Sequence, residues 1–402
     1  MRILLLTQFF APETGAASER TAAIAAQFAA VGNDVHVLTA MPSFPTGTLP
    51  QRYRGKWRVV EQVGRAQVER VWTYASPRLR RIDRVLNWTS VAAGMLGSIA
   101  WNAIRGRRYD LIVASFPPIT QSLVALAAGV LLRAPLVVDV RDVLTTRGIE
   151  LNLWQPGSPV DRVVNALSDA LYRRAILVST VSETALASIV ARGIAPGKVV
   201  LFTNGFDVFD ERTPSPYARR PDEIVAAYVG TLGLTSGVES ILEAAMLLRD
   251  KPQIRIVIAG DGTERARLEE VAARAGLQGV TFLGQRTSDE AKALQRDADI
   301  ALVPLRANVV DALPKKMFDA LAMGTAVVLS AHGEAARLIA QSGGGIVVTP
   351  EDPPALAAAI AELAADRGRC QQLGAAGRAF VLERYERSTL VRKYVAQVAA
   401  AV

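Results

Sequence analysis

Runs of three to six apolar residues recur along this chain with helix-length segments between them, and no other feature constrains the fold as strongly. In the first half the runs fall at residues 3–7, 35–39, 111–114, 136–140, 177–181 and 199–202. The second half repeats the scheme at 225–229, 254–259, 280–283, 300–303, 326–329 and 346–348. The segments between them, 17–31 and 159–173 for example, have the spacing of amphipathic helices. A strand that is apolar throughout is buried on both faces, which implies parallel sheets covered by crossover helices. Two such series imply an α/β chain of two doubly wound domains, expected to face each other across a cleft. After Phe202 the sequence TNGFDVFDERTPSPYARRPDE has no apolar periodicity, so a linker is expected near residues 205–220. The expected division is 1–205 and 206–384.

Composition removes several classes of function. The single cysteine, Cys370, excludes a disulfide framework and a cysteine-based zinc site. Two histidines, His36 and His332, are too few for an ordinary His-rich centre, so no metal is expected. The opening MRILLLTQFF is too short an apolar run for a signal peptide and reads as a first buried strand, which makes the cytoplasm the default location. Residues 1–205 hold 23 basic and 13 acidic side chains, whereas residues 206–402 hold 23 and 25. A uniformly basic protein would suggest nucleic acid. One basic half points instead to a directed surface for an anionic partner.

Ligands of doubly wound sheets bind beyond the carboxyl ends of the strands, so the segments that follow the strands are the candidates. The first, TQFFAPETGAASER, places Gly15 before a helix whose amino end favours negative charge, as an ordinary strand-to-helix loop would also do. The second, YVGTLGLTSGVESILEAA, puts Gly230, Gly233 and Gly237 in a turn suited to a pyrophosphate or simply to a tight bend. The third is VPLRANVVDALPKKMFDALAMGTAVV. Here Pro314 stands where a helix begins, Lys315 and Lys316 add charge at its amino end, and Asp311 and Asp319 lie eight residues apart. A carboxylate at such a place can accept two vicinal hydroxyls, but a solvated helix start with an incidental acid has the same spacing. Fourth, Arg141 and Asp142 end one run and SFPP, with Ser115, ends another; the charges either pair with each other or hold a phosphate and a hydroxyl. His36, inside an apolar strand, reads as structural. His332 and Glu334 follow a strand, and Glu334 joins the candidate ligand-binding set.

The segment RLRRIDRVLNWTSVAAGMLGSIAWNAIRGRR stands apart. Arginines flank an apolar middle bracketed by Trp88 and Trp101, and polar residues interrupt it before it reaches a spanning length. It fits an interfacial helix with tryptophans at headgroup level and arginines facing anionic lipid, or a helix buried on a sheet with its arginines in water.

Taken together, the chain resembles a family 4 retaining glycosyltransferase of the GT-B type, and is most similar to the branch that builds bacterial O-antigens and exopolysaccharides. The residues that carry this are MRILLLTQFFAPETGAASER, TAMPSFPTG, VVDVRD, TVSE, FTNGFD, YVGTLGLTSGVESILEAA, IAGDGTERARLE, DALPKKMFDALAMGTAVVLSAHGEA and GGGIVVTPEDP. The family carries two glutamates with seven residues between them, and Asp311 and Asp319 match these positions. The resemblance implies that Asp311 meets the donor sugar's hydroxyls and Asp319 the nucleotide ribose. Backbone from Leu313 to Lys315 would meet the diphosphate, with Lys315 or Lys316 neutralising it and Arg141 contributing. Relatives carry an Arg and a Lys in the turn after Gly230, where this chain has Thr231 and Ser236. They also carry a histidine near the SFPP turn, which is absent here. The implied partners are a nucleotide-sugar donor, UDP-linked, and a glycan or polyprenyl-diphosphate-linked acceptor at the inner face of the cytoplasmic membrane. No cofactor is implied beyond the donor. The last helix, 385–402, would return to the first domain. A soluble acceptor, a nucleotide-sugar epimerase and a nucleotide-binding pseudo-glycosyltransferase are the alternatives.

Overall fold

The computed structural model describes every residue except Thr14, Pro45, Leu79, Leu151, Asn152, Leu234, Thr235, Val310 and Asp311, and the side chains of Arg81 and Glu150. The chain divides into two compact units, Met1–Thr203 with Ser388–Val402, and Asn204–Arg387.

In the first unit the elements run β1 (Arg2–Leu6), α1 (Ala16–Ala30), β2 (Asp34–Ala40), β3 (Arg58–Val63), β4 (Ala66–Val71), α2 (Arg81–Ile104), β5 (Leu111–Phe116), α3 (Thr120–Leu131), β6 (Leu136–Val140), α4 (Leu144–Glu150), α5 (Pro159–Arg174), β7 (Leu177–Thr180), α6 (Glu183–Ala191) and β8 (Val199–Leu201). The described residues form an eight-stranded sheet in the order β3-β4-β2-β1-β5-β6-β7-β8. All neighbours pair in parallel except β3 and β4, which form an antiparallel hairpin at one edge. The apolar runs do not show this hairpin, because β4 buries Glu69 and Arg70 in its middle and β3 alternates polar with apolar residues at an edge. The strictly parallel sheet expected from the runs is corrected to that extent.

Helix α2 packs its Val91, Met95 and Ile99 into the core beside α3, each nearly solvent-free. That burial is worth about 2 kcal/mol per side chain. Its other face keeps Ile82, Val85, Leu86, Trp101 and Ile104 exposed. The helix is therefore buried on the sheet along one face, as the second reading expects, and presents apolar side chains to solvent along the other. No described helix is long and apolar enough to cross a membrane.

The second unit runs β9 (Ile224–Val229), α7 (Val238–Leu247), β10 (Ile254–Ala259), α8 (Arg265–Arg274), β11 (Val280–Gly284), α9 (Ser288–Asp297), β12 (Ile300–Pro304), α10 (Lys315–Ala322), β13 (Ala326–Ser330), α11 (Gly333–Ser342), β14 (Gly345–Val348), α12 (Pro353–Ala365) and α13 (Arg367–Arg384). Its described sheet is parallel throughout, in the order β11-β10-β9-β12-β13-β14. This is a doubly wound order with its reversal beside β9, so the ligand crevice lies between the carboxyl ends of β9 and β12. In the first unit the reversal falls beside β1, between β1 and β5.

The final helix, α14 (Arg387–Ala401), sets Val391, Tyr394, Val395 and Val398 into the core of the first unit. Tyr394 stacks on Phe202 with centroids 4.4 Å apart. A buried charge ties that unit together. Arg20 of α1 donates to both oxygens of Asp139 in β6 at 2.7 and 2.9 Å, while Ser179 donates to the same carboxylate at 2.8 Å. Removing one member of such a pair leaves a bare buried charge. Arg20→Met should cost about 3–5 kcal/mol in urea unfolding; a loss below 1 kcal/mol would show that the pair is not needed.

Candidate functional site

At the switch point of the second unit, β9 ends in Val229 and Gly230 turns at φ +152°. A Cβ at Gly230 would stand 3.1 Å from the Lys316 Nζ and 3.3 Å from the Tyr228 hydroxyl. Gly260 holds the same turn from the β10 side, since a Cβ there would lie 1.8 Å from the Gly230 carbonyl oxygen. The bare backbone at 230 is thus the space into which the Lys316 amine reaches. Gly233 has no such need, as its nearest contact would be the Thr231 methyl at 3.8 Å.

The amine belongs to the second residue of α10. It donates to the Tyr228 hydroxyl at 2.9 Å and lies 4.1 Å from the centre of that ring. Burial alone lowers its pKa to about 7. The Tyr228 hydroxyl donates onward to the Thr231 carbonyl at 2.8 Å, and its own pKa is pushed up by burial. Lys315 points elsewhere. Its Nζ donates to Asp319 Oδ2 at 2.6 Å and lies 3.5 Å from Asp207, which in turn meets Arg387 at 3.0 Å. Asp319 is buried, its pKa is raised by burial against the pull of Lys315, and its Oδ1 has no hydrogen-bond partner among the described residues. A buried carboxylate oxygen without a partner is rare enough to require an explanation, and a ligand hydroxyl supplies one.

The other sequence candidates of this unit sit around that helix start. Pro314 is the cap residue before α10, one position earlier than the first-turn place expected for it. Leu313 is buried and its carbonyl accepts from Asn204 at 2.9 Å. Glu334 lies in the first turn of α11, after β13. Asp311 lies outside the described residues. Direct contact thus joins Lys315 to Asp319 and, separately, Lys316 to the Gly230 turn.

In the first unit, Gly15 is the residue before α1, with φ +122°. Arg141 and Asp142 follow β6 but do not pair with each other. Arg141 donates to Ser115 Oγ at 3.0 Å and to the Pro117 carbonyl at 2.5 Å, so it braces the turn after β5, and burial lowers its pKa. Asp142 meets Arg147 of α4 at 3.2 Å. His36 is structural, with Nδ1 2.6 Å from the Tyr109 hydroxyl.

Glu13 is a candidate that sequence reasoning missed. Its Oε1 accepts the backbone amides of Ser43 and Phe44 at 2.8 and 2.9 Å, which joins the loops after β1 and β2, and its Oε2 is buried without a partner among the described residues. Burial raises its pKa to about 7, against those hydrogen bonds. Its appearance in the APETG segment was the available signal, but spacing does not reveal which loop residue turns inward. Among the described residues, no three His, Cys, Asp or Glu side chains gather as a metal site.

Both units therefore present a doubly wound sheet with candidate polar groups at its switch point, which is the GT-B class of architecture. Two family models cover the chain in order. A glycosyl transferase 4-like domain matches residues 15–205, and glycosyl transferases group 1 matches residues 209–380. The chain is 27% identical over 377 residues to WcaI of Escherichia coli K12, provisionally described as a colanic acid biosynthesis glycosyl transferase. That match covers 90% of this chain and 91% of WcaI. Sucrose-phosphate synthase from Thermosynechococcus elongatus superposes with a TM-score of 0.76 at 20% identity, covering 100% of each chain. Anabaena HepE in complex with UDP-glucose superposes with a TM-score of 0.72 at 19% identity, also covering 100% of each. The protein belongs to the GT-B glycosyltransferases, among those with a 4-like first domain and a group 1 second domain.

The raised pKa of Glu13 has a consequence for stability. The folded state holds the proton more tightly than an unfolded glutamate, so stability present at low pH is lost as pH rises from 4.5 to about 7. Glu13→Gln should remove that loss, gaining about 1–3 kcal/mol on the wild type at pH 8 relative to pH 4.5. Urea unfolding at the two pH values checks this; parallel shifts in both proteins would exclude Glu13 as the titrating group.

Proposed function

We propose that this glycosyltransferase moves a sugar from a nucleoside diphosphate sugar, UDP-linked, to a polyprenyl-diphosphate-linked glycan at the inner face of the cytoplasmic membrane. The anomeric configuration is retained and no metal is used. The observation that carries the reading is the partnerless buried oxygen of Asp319 beside two lysines at the start of α10. In this reading Asp319 accepts the ribose hydroxyls while Lys315 holds its other oxygen. The backbone of Leu313 to Lys315 and the Lys316 amine receive the diphosphate over the bare Gly230 turn, with Gly233 and Glu334 completing the donor pocket. Asp311 takes the sugar hydroxyls. In the first unit Asp142 orients the acceptor hydroxyl, and Arg141 braces the turn after β5 beside it. The likeness to WcaI supports a role in surface polysaccharide synthesis.

The reaction breaks the bond from the anomeric carbon to the phosphate oxygen. Charge grows on the leaving diphosphate, and helix-end amides with a lysine stabilise it in place. The acceptor oxygen forms the new bond on the same face, and its proton passes to the departing phosphate oxygen. No enzymic nucleophile is required, which suits a chain with two histidines.

Calorimetry with UDP tests the ribose role: Asp319→Asn should weaken binding by about 1–2 kcal/mol, and unchanged affinity would count against it. Lys316 gives a second test. An anion placed on an amine whose pKa is about 7 raises that pKa, so binding takes up protons and tightens as pH falls from 8.5 towards 7. Lys316→Met should flatten this dependence; a wild-type affinity independent of pH would remove the amine from the phosphate site. Transfer should also persist in excess EDTA. Turnover abolished there and restored by a divalent cation would overturn the metal-free clause.

A further inference from the structure

A groove of about 590 Å³ opens in the first unit between the outer hairpin β3–β4 and helix α2. Trp57 and Trp72 form one wall, at the end of the hairpin where the Trp72 amide donates to the Trp57 carbonyl at 2.9 Å. Their ring centres are 5.4 Å apart, and Trp57 is 76% exposed. Trp101, near the end of α2, forms the other wall and is half exposed. Large exposed aromatic rings around one concavity are costly in water unless something covers them.

The floor is made by two glycines of α2 with different reasons to be glycine. A Cβ at Gly94 would lie 2.8 Å from the Val71 Cβ, so Gly94 lets the helix approach the sheet. A Cβ at Gly97 would meet nothing within 4 Å, so the space above Gly97 belongs to the groove.

The carboxylate and hydroxyl groups of the lining are already engaged. Glu69 accepts from Arg58 at 2.7 and 3.0 Å and from Ser98 at 2.7 Å. Ser90 accepts the Tyr74 amide at 2.9 Å and donates to the Asn87 carbonyl at 2.8 Å. A sugar needs acceptors as well as donors, and the side-chain acceptors of this lining, Glu69, Ser90 and Ser98, are already taken. The surface that remains is aromatic and apolar, which suits hydrocarbon. The rim is cationic. Lys56 precedes Trp57, and the Arg105 guanidinium lies 4.5 Å from the Trp101 ring; both are exposed and neither has an ion-pair partner among the described residues. An apolar slot with a positive rim fits an amphiphile whose head is negative.

We infer that the groove seats one hydrocarbon chain of an anionic membrane lipid, with the headgroup phosphate on Lys56 and Arg105. This deepens the membrane clause of the proposed function and leaves its chemistry aside. The test uses the full chain with vesicles of phosphatidylglycerol in phosphatidylcholine, or of phosphatidylcholine alone, some carrying mid-chain bromine to quench tryptophan. Wild-type protein should bind the anionic vesicles and be quenched by the brominated chains. Gly97→Leu sets its Cβ in open space and fills the slot above it; it should abolish most of the quenching and weaken binding at least fivefold, with the melting temperature kept. Lys56→Gln with Arg105→Gln should lower the preference for phosphatidylglycerol by about fivefold per cation removed. Binding to anionic vesicles without quenching would overturn the groove while sparing the membrane reading. Equal binding to both vesicle types would overturn the headgroup assignment. A dimer in ultracentrifugation that Gly97→Leu dissolves would replace the lipid by a second copy of this chain. UDP affinity, measured alongside, separates any of these failures from failure of the donor site.

Discussion

Burying the Arg20 guanidinium beside Asp139 organises the first unit in a way that apolar contact alone does not. Hydrophobic burial is non-directional, so it drives helices onto a sheet without fixing which atoms meet. Arg20 fixes them: it grips Asp139 through two nitrogens, donates to the Phe202 carbonyl at 2.7 Å, and lies 3.6 Å from the centre of the Phe202 ring. Phe202 in turn stacks on Tyr394 of the C-terminal helix. One cation therefore sets the register of α1, β6, the chain leaving β8, and the last helix. Unless α1 and β6 are both in place, the charge is left unpaired in a dry interior.

The second unit handles buried charge differently, and the contrast separates structure from chemistry. Asp139 is saturated by Arg20 and Ser179, so nothing remains for a ligand to satisfy. Asp319 holds Lys315 on one oxygen and leaves the other bare. Arg141 is likewise committed, to Ser115 and Pro117, whereas the Lys316 amine hydrogen-bonds, among the described residues, only a phenol. Satisfaction of hydrogen bonds, more than the presence of charge, marks the groups that still have work to do.

The sequence made legible what depends on local pattern. All twelve apolar runs are strands, because a strand buried on both faces cannot hide its composition. The β3–β4 hairpin stayed hidden, since Glu69 and Arg70 are tolerated in β4 only through charged partners on β3, Arg58 and Glu61, and through His36 and Ser98, some 30 residues away in sequence. The lysines and Asp319 at α10 were visible from their spacing, but which lysine pairs with the acid was not. That choice depends on Tyr228 and Gly230, some 85 residues earlier, making room for one amine. Glu13 was invisible for the same reason, as its burial comes from the loop at Ser43 and Phe44.

The two lysines then divide the work expected of a basic pair. The turn after β9 has no lysine or arginine of its own between Gly230 and Gly237, so in the proposed donor site positive charge reaches it from another element. Lys316 does so from α10, entering the space that Gly230 leaves. The route has a physical cost, since the amine is desolvated and holds its proton weakly. It also has a consequence. In the proposed site, an amine poised near neutrality would gain charge when the diphosphate arrives and give it up when it leaves, so that the empty site would carry little uncompensated charge. Lys315, anchored to Asp319 and Asp207, keeps the neighbouring carboxylate in place throughout. Exchanging the two residues' environments would leave the composition of the helix unchanged and still remove both properties.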